Sequence, residues 1–251
     1  NAYFHCMFTR VTIWILALVV MAGCKSMYVG PRMGFDVPLS SSSSDPLITN
    51  ESTPSSGVAG GVWYGVHVTE NLSLETAPGV TSMERRIVRN GSYTENGVGV
   101  DLTAYQTMST SILELPLSVR YAFASRTAAF APYVVAGIGY HIARARRYQL
   151  NGTSRIADVE WPFYDENTAA SGSVGRSSIA FMVGGGLQYP LSKTWHVRGD
   201  ATITARTRAL TAGSDRVLIG YDAFDTSMYY DFRSEFPLTS LILQVGIVGY
   251  F

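Results

Sequence analysis

A chain of 251 residues that is 47% hydrophobic and only 15% charged is poorly equipped to cover a soluble surface, where charged residues supply about 25%. A chain whose outer face meets lipid has no such need. The formal net charge is zero, which excludes a general nucleic-acid binder, because neutralising phosphates takes a basic excess or stripe.

The first element in chain order is a targeting segment. Arg10 supplies a positive start, and Val11 to Gly23 (VTIWILALVVMAG) is an uncharged apolar run ending in small residues. A transmembrane helix needs about 20 apolar residues, so the run is short for a retained anchor and suits the core of an export signal. Met7 is the natural initiator. Residues 7–24 then read as the signal peptide, residues 1–6 as an upstream artefact, and residues 25–251 as one domain. Cys6 and Cys24 are the two cysteines, so the body of the protein can hold no internal disulfide or cysteine metal site. The run Val20-Met21-Ala22-Gly23-Cys24 resembles a bacterial lipobox, in which the cysteine is acylated, although Met stands where Leu or Val is usual. Lipidation of Cys24 and ordinary signal cleavage both stay open.

After the signal, period-2 alternation replaces any helical period. Strands are expected at 27–37, 57–68, 72–88, 108–123, 131–148, 177–190, 194–209 and 237–251. In Leu113 to Phe123 every odd position is apolar or aromatic, while Glu114, Ser118 and Arg120 occupy even ones. Successive strand side chains point to opposite faces, so one face is apolar and the other carries charge. Trp195, Val197, Ala201 and Ile203 alternate in the same way with His196, Arg198, Asp200 and Arg206. Val29, Met33 and Phe35 are set against Arg32 and Asp36. A polar face with both signs of charge and many small residues suits the crowded interior of a small barrel.

The connections alternate as well. Long ones cover 38–56, 89–107, 149–176 and 210–236, and Ser40 to Ser44 marks the first as a flexible external loop. Short ones are Thr69-Glu70-Asn71, Ala124 to Phe130 and Leu191-Ser192-Lys193. Short periplasmic turns alternating with long external loops mark an outer-membrane barrel. The expected fold is therefore all-β: eight antiparallel, up-and-down transmembrane strands. Tyr121, Phe123, Phe130, Tyr133, Tyr189, Trp195 and Phe251 gather at the short-turn ends, as an interfacial aromatic girdle requires.

The chain resembles the small outer-membrane β-barrels of the OmpA- and OmpX-like kind, and most closely the PorT-like barrels of Bacteroidetes-type bacteria. The resemblance rests on Leu113-Glu114-Leu115-Pro116-Leu117 with Arg120-Tyr121, on Ala131-Pro132-Tyr133 running into Ala136-Gly137-Ile138-Gly139-Tyr140, on Gly184-Gly185-Gly186-Leu187 before Tyr189-Pro190, and on the terminal Tyr250-Phe251. It implies a location in the bacterial outer membrane among lipid and lipopolysaccharide. It also implies that Phe251 is a signal read by the barrel-assembly machinery. OmpA itself continues into a peptidoglycan-binding domain, which is not matched here, so no cell-wall anchor is implied.

Chemistry is sparse. The lumenal ionisable residues Arg32, Asp36, Glu75, Glu114, Arg120, Arg198, Asp200 and Arg206 are expected to form a paired network, because an unpaired buried charge is costly. That network either fills and specifies the barrel or lines a narrow polar path. His67 and His196 fall near periplasmic ends and His141 nearer the outer rim, without a spacing motif for catalysis. Arg144, Arg146 and Arg147 either touch lipopolysaccharide phosphates or form a solvated loop base. No phosphate loop or metal cluster is recognisable, and no cofactor is expected. The expected role is non-enzymatic: structural, or surface interaction and assembly through external loops. A lipid A-modifying enzyme and a small channel or secretion accessory are the alternatives.

Overall fold

The computed structural model describes residues 26–39, 48–53, 57–95, 97–125, 128–167, 177–208, 211–212, 217–232, 234–235 and 238–251. The signal region with Cys24, and Ser40 to Ser44, lie outside the described residues. The strands in order are β1 (Met27–Pro38), β2 (Ile48–Thr53), β3 (Gly57–His67), β4 (Leu72–Thr76), β5 (Gly79–Glu95), β6 (Val98–Ala122), β7 (Ala131–Ile156) and β8 (Val159–Asn167). They continue with β9 (Ser177–Pro190), β10 (Trp195–Arg206), β11 (Thr211–Ala212), β12 (Val217–Tyr221), β13 (Ser227–Tyr230), β14 (Ser234–Glu235) and β15 (Thr239–Tyr250).

Eight staves form a closed antiparallel ring: β1, β3, β4 with β5, β6, β7, β9, β10 and β15. β4 and β5 make one stave, since both pair with β3 and with β6. The break falls at Ala77-Pro78, where proline has no N–H to offer the ladder. β15 pairs back onto β1 from Tyr28↔Tyr250 to Pro38↔Ser240, and closure leaves no free sheet edge among the staves. Met27 and Phe251 exchange backbone hydrogen bonds of 3.1 and 2.9 Å at the seam.

The short turns are held by hydroxyls. Thr69 Oγ1 accepts from the Leu72 N–H at 3.1 Å, and Ser192 Oγ accepts from the Trp195 N–H at 3.0 Å. At this end Tyr121, Phe123, Phe130, Tyr189, Trp195 and Phe251 are exposed on the outer wall. Tyr133 departs from expectation. It is 2% exposed and points into the lumen, because Ala131, Tyr133 and Val135 share the inward parity of β7 while Pro132 and Val134 face out.

Above the short turns the outer wall is apolar, with exposed Phe35, Val134, Ile138, Phe181, Val183 and Leu243. The belt runs from Leu113 to Tyr121 on β6 and from Ile179 to Tyr189 on β9, close to the about 9–11 residues that a membrane-crossing strand needs.

The stretches 89–107 and 149–176, expected as loops, are β-structure over most of their described residues. β5 continues to Glu95 and β6 begins at Val98, while β7 continues to Ile156 and pairs with β8. Ala157 and Asp158, with φ of 49° and 66°, form the tight reversal whose twist matches a hairpin. Residues 210–236 carry β11 to β14 rather than one open loop. The prolonged strands, with β2 on the edge of β5, make a sheet that rises beyond the belt. Its inner face has a core of its own that includes Met83, Ile87, Leu102, Met108, Leu150 and Phe163. Ile219, Met228 and Phe232, from β12, β13 and the residues after them, complete that core. Gln106 Nε2 donates to the Phe232 carbonyl at 2.8 Å, and the Ser154 hydroxyl donates to the Ile219 carbonyl.

Candidate functional site

Inside the belt the even positions of β1, β6 and β10 and the odd positions of β3 to β5 project inward, and the eight predicted ionisable residues are all buried. Glu75 is the hub of the lowest tier. Arg198 grips it with two parallel bonds, Nη1–Oε1 and Nη2–Oε2, both 2.9 Å. This forked geometry is the strong form of a carboxylate contact. Arg120 Nε lies 2.8 Å from Glu75 Oε1 as an ion pair, and the Tyr28 hydroxyl donates to the same oxygen. Arg198 also reaches Asp200, at 3.1 Å from Nε to Oδ1 and 3.0 Å from Nη2 to Oδ2. Its guanidinium carbon lies 4.6 Å from the ring centre of Trp63 and 4.9 Å from that of Tyr133, so cation–π attraction adds to the pairing.

This tier continues toward the short turns through uncharged groups. Arg120 Nη1 donates to Gln188 Oε1 at 2.7 Å, Tyr250 donates to the same oxygen at 2.9 Å, and Gln188 Nε2 meets His196 Nδ1 at 2.7 Å. The rings of Tyr28, His67 and Tyr250 close the end of the lumen, with centroids 5.2 to 5.7 Å apart. Glycines make the crowding possible. A Cβ at Gly65 would stand 2.1 Å from Tyr28 Cζ, and one at Gly79 would stand 2.6 Å from Arg32 Nη2.

Two further tiers follow. Arg32 pairs with Glu114 at 3.8 Å and donates to the Ala77 carbonyl, while Thr81 donates to Glu114 Oε1 at 2.9 Å. Higher up, Arg206 pairs with Asp36 at 3.6 Å and its Nε donates to His141 Nδ1 at 3.1 Å. Arg32, Arg120, Arg198 and Arg206 thus stand against Asp36, Glu75, Glu114 and Asp200, four cations to four anions. A cavity of about 30 Å³ is left between the tiers, lined in part by Arg32, Glu114, Arg198, Asp200, Thr202 and Thr204. That is room for about one or two water molecules.

At the outer rim Arg144 is exposed on the outward face, opposite Ser111. Just beyond it the ladder shifts. Ser109 faces Arg147 and Thr110 faces Ala145, which leaves Arg146 unmatched in a β-bulge. The side chains of Arg146 and Arg147 lie outside the described residues.

The model of one protein family, the outer membrane protein beta-barrel domain, matches residues 14–232. The chain belongs to that family. This outer-membrane barrel is similar in structure to OprG from Pseudomonas aeruginosa, at a TM-score of 0.53 and 11% identity over 90% of this chain and 95% of that one. It is also similar to a major outer membrane protein from Thermus thermophilus, at 0.46 and 12% over 90% and 99%. The E. coli outer membrane protein W follows at 0.36 and 15% over 90% and 97%. A search of curated proteins finds no match.

The barrel thus lies in the bacterial outer membrane, its apolar belt against lipid, with short turns periplasmic and prolonged strands external. In that frame His67 and His196 sit at the periplasmic end of the lumen and His141 above them. Tyr28, Trp63, Tyr133 and Gln188 belong to the network, although sequence reasoning does not place them there. Tyr28 shares the even parity of Arg32 and Asp36, a signal that could have found it. Arg85 and Arg89, buried on the inner face of the external sheet, also escape the sequence reading.

Proposed function

We propose that this barrel is a sealed, non-enzymatic anchor, and that its task is a surface interaction carried by the β-sheet it holds outside the membrane. The observation that carries this reading is the filled lumen. Three ion-paired tiers occupy its lower part and an apolar core capped by Ile219, Met228 and Phe232 occupies the external part. Charges lining an open, water-filled path would face solvent, whereas these sit in contact with one another. Among the described residues, the enzyme alternative finds little support in the row that could suggest it. Glu114, His141 and the β9 residue Ser178 stand side by side across β6, β7 and β9. Yet His141 Nδ1 is engaged by Arg206, and Ser178 Oγ donates to the Ile179 carbonyl at 3.1 Å.

Three further roles belong to the same reading. Phe251, exposed beside the β1–β15 seam, is the end recognised by the barrel-assembly machinery. Arg144, with Arg146 and Arg147, meets lipopolysaccharide phosphates at the outer rim. Cys24 is the site of lipid attachment if the export signal is of the lipoprotein kind. The test of the sealed barrel is electrical. The purified protein inserted in a planar bilayer should show no steady conductance. Stepwise currents would overturn the reading and bring the channel forward.

A further inference from the structure

Resting on the reading that the external sheet is the working surface, we propose that its outer wall binds the saccharide of neighbouring lipopolysaccharide on a platform of Tyr105, Asn151 and Tyr164. These three residues stand in one row across adjacent strands, Tyr105 of β6 opposite Asn151 of β7 and Asn151 opposite Tyr164 of β8. All three face outward, and the two phenol rings are 54% and 64% exposed. With strands about 4.8 Å apart, the tyrosines are roughly 10 Å from each other. Two ring faces then flank an amide that both donates and accepts hydrogen bonds.

The neighbouring rows have the same character. Asn90, Thr103 and Thr153 lie above, and Arg86, Thr107 and Gln149 below. The apolar core of these strands lies on their opposite face, which buries Leu102, Ala104, Leu150 and Phe163. Sugars offer the matching chemistry: apolar C–H faces that cover an aromatic ring, and hydroxyls that both give and take hydrogen bonds. A lipid chain would leave the amides and hydroxyls unpaired, at a cost.

Position selects the source of the sugar. Tyr105 lies six residues along β6 beyond Ser111, the first outward residue past the belt. At about 3.3 Å per residue and a tilt near 40°, that is roughly 15 Å further out. The headgroup layer extends only about 5–8 Å beyond the hydrocarbon. A lipopolysaccharide molecule standing against this wall sets its phosphates at the level of Arg144, with Ser111 beside it, and its saccharide at the level of the tyrosines.

The test compares three probes on the folded protein in detergent micelles: lipopolysaccharide with its core oligosaccharide, the lipid A released from it, and the free oligosaccharide. Folding of each variant is checked first by heat-modifiable migration in a gel. Complete lipopolysaccharide should bind about tenfold more tightly than lipid A, as expected of two aromatic contacts. The free oligosaccharide should compete for the difference. The double variant Tyr105→Ala, Tyr164→Ala should lose the difference yet bind lipid A as before, and Tyr105→Trp should keep it. Equal affinity of the parent for lipopolysaccharide and lipid A overturns the proposal, as does a preference that survives in the double variant. These outcomes are independent of the conductance test, so the saccharide wall can fail while the sealed anchor stands.

Discussion

Strand β6 borders two interiors. From Glu114 to Arg120 its inward side chains are Glu114, Pro116, Ser118 and Arg120, and they belong to the ion-paired lumen. From Val100 to Ile112 the same parity carries Val100, Leu102, Ala104, Gln106, Met108, Thr110 and Ile112, most of them in an apolar core. The outward face does the reverse. Leu113, Leu115, Leu117 and Val119 lie below, and Asp101, Thr103, Thr107 and Ser109 above. The inversion has a physical cause. In lipid the surroundings are as apolar as any core, so burial of apolar groups cannot tell inside from outside. Only polar groups that must leave the lipid fix which face turns in. Beyond the headgroups the outside is water, and the ordinary hydrophobic drive returns. The level at which the pattern turns over, near Ser111 and Arg144, therefore marks the membrane surface on the molecule.

If the two interiors are held by different forces, they should fail differently. The largest effect is expected for Arg198→Ala, which leaves Glu75 and Asp200 without their shared partner. Removing one member of a buried ion pair costs about 3–5 kcal/mol. The urea unfolding midpoint of the protein refolded into lipid should fall markedly. A variant as stable as the parent would mean that water reaches these charges, and the comparison would collapse.

Phe232→Ala attacks the other interior. Truncating a buried phenylalanine costs about 3–5 kcal/mol when the site cannot relax. Phe232 is fully buried in the external core, packed against Phe163 and Tyr230 at 5.5 and 4.8 Å between ring centres, so a loss of that order is expected in the external sheet. The loss should appear as local opening. Limited proteolysis should cut within 217–232 at lower protease concentration, while the urea midpoint of the barrel stays close to that of the parent. A matching fall in the midpoint would show that the two interiors unfold as one unit.

The barrel is legible in the sequence because its chemistry repeats locally. Leu113 to Phe123 announces a two-faced strand within eleven residues, and the eight lumenal charges follow from the same parity. Tyr133 is misread where that contrast vanishes: Ala131 and Val135 face in, Val134 and Ala136 face out, and nothing polar separates the two sets. The prolonged β7–β8 hairpin escapes for another reason. The bulge at Arg146 moves the inward set of β7 from His141 and Ala143 to Tyr148 and Leu150. An extra residue re-aims every side chain beyond it, so period-2 reading ends where the strand does not. The cap has no local signal at all. Gln106 and Phe232 are 126 residues apart, and no short-range pattern joins them.

The smallest effect tests how independent the cap is. The turn between β12 and β13 is organised by Asp222, whose Oδ1 accepts from the N–H groups of Thr226 and Phe224, both at 2.8 Å. Asp225 takes a φ of 60° to complete the reversal. The hydrogen bond from Thr226, helped by that from Phe224, holds the Asp222 carboxyl below the ordinary carboxylate range. A carboxyl depressed in the folded state favours folding above its unfolded pKa of about 3.9, and that contribution disappears as pH falls through the lower folded value. Amide exchange protection at Phe224 and Thr226 should therefore be steady at neutral pH and decline below about pH 4. Asp222→Ala should lower it at every pH, whereas Asp222→Asn keeps an acceptor and should remove the pH dependence alone. Neither change should move the urea midpoint, because the turn is exposed and β12, the first of the strands it joins, packs outside the membrane against β7 and β8. A shift of the midpoint with Asp222→Ala would tie this outermost turn to the ion-paired lumen and erase the boundary between the two interiors.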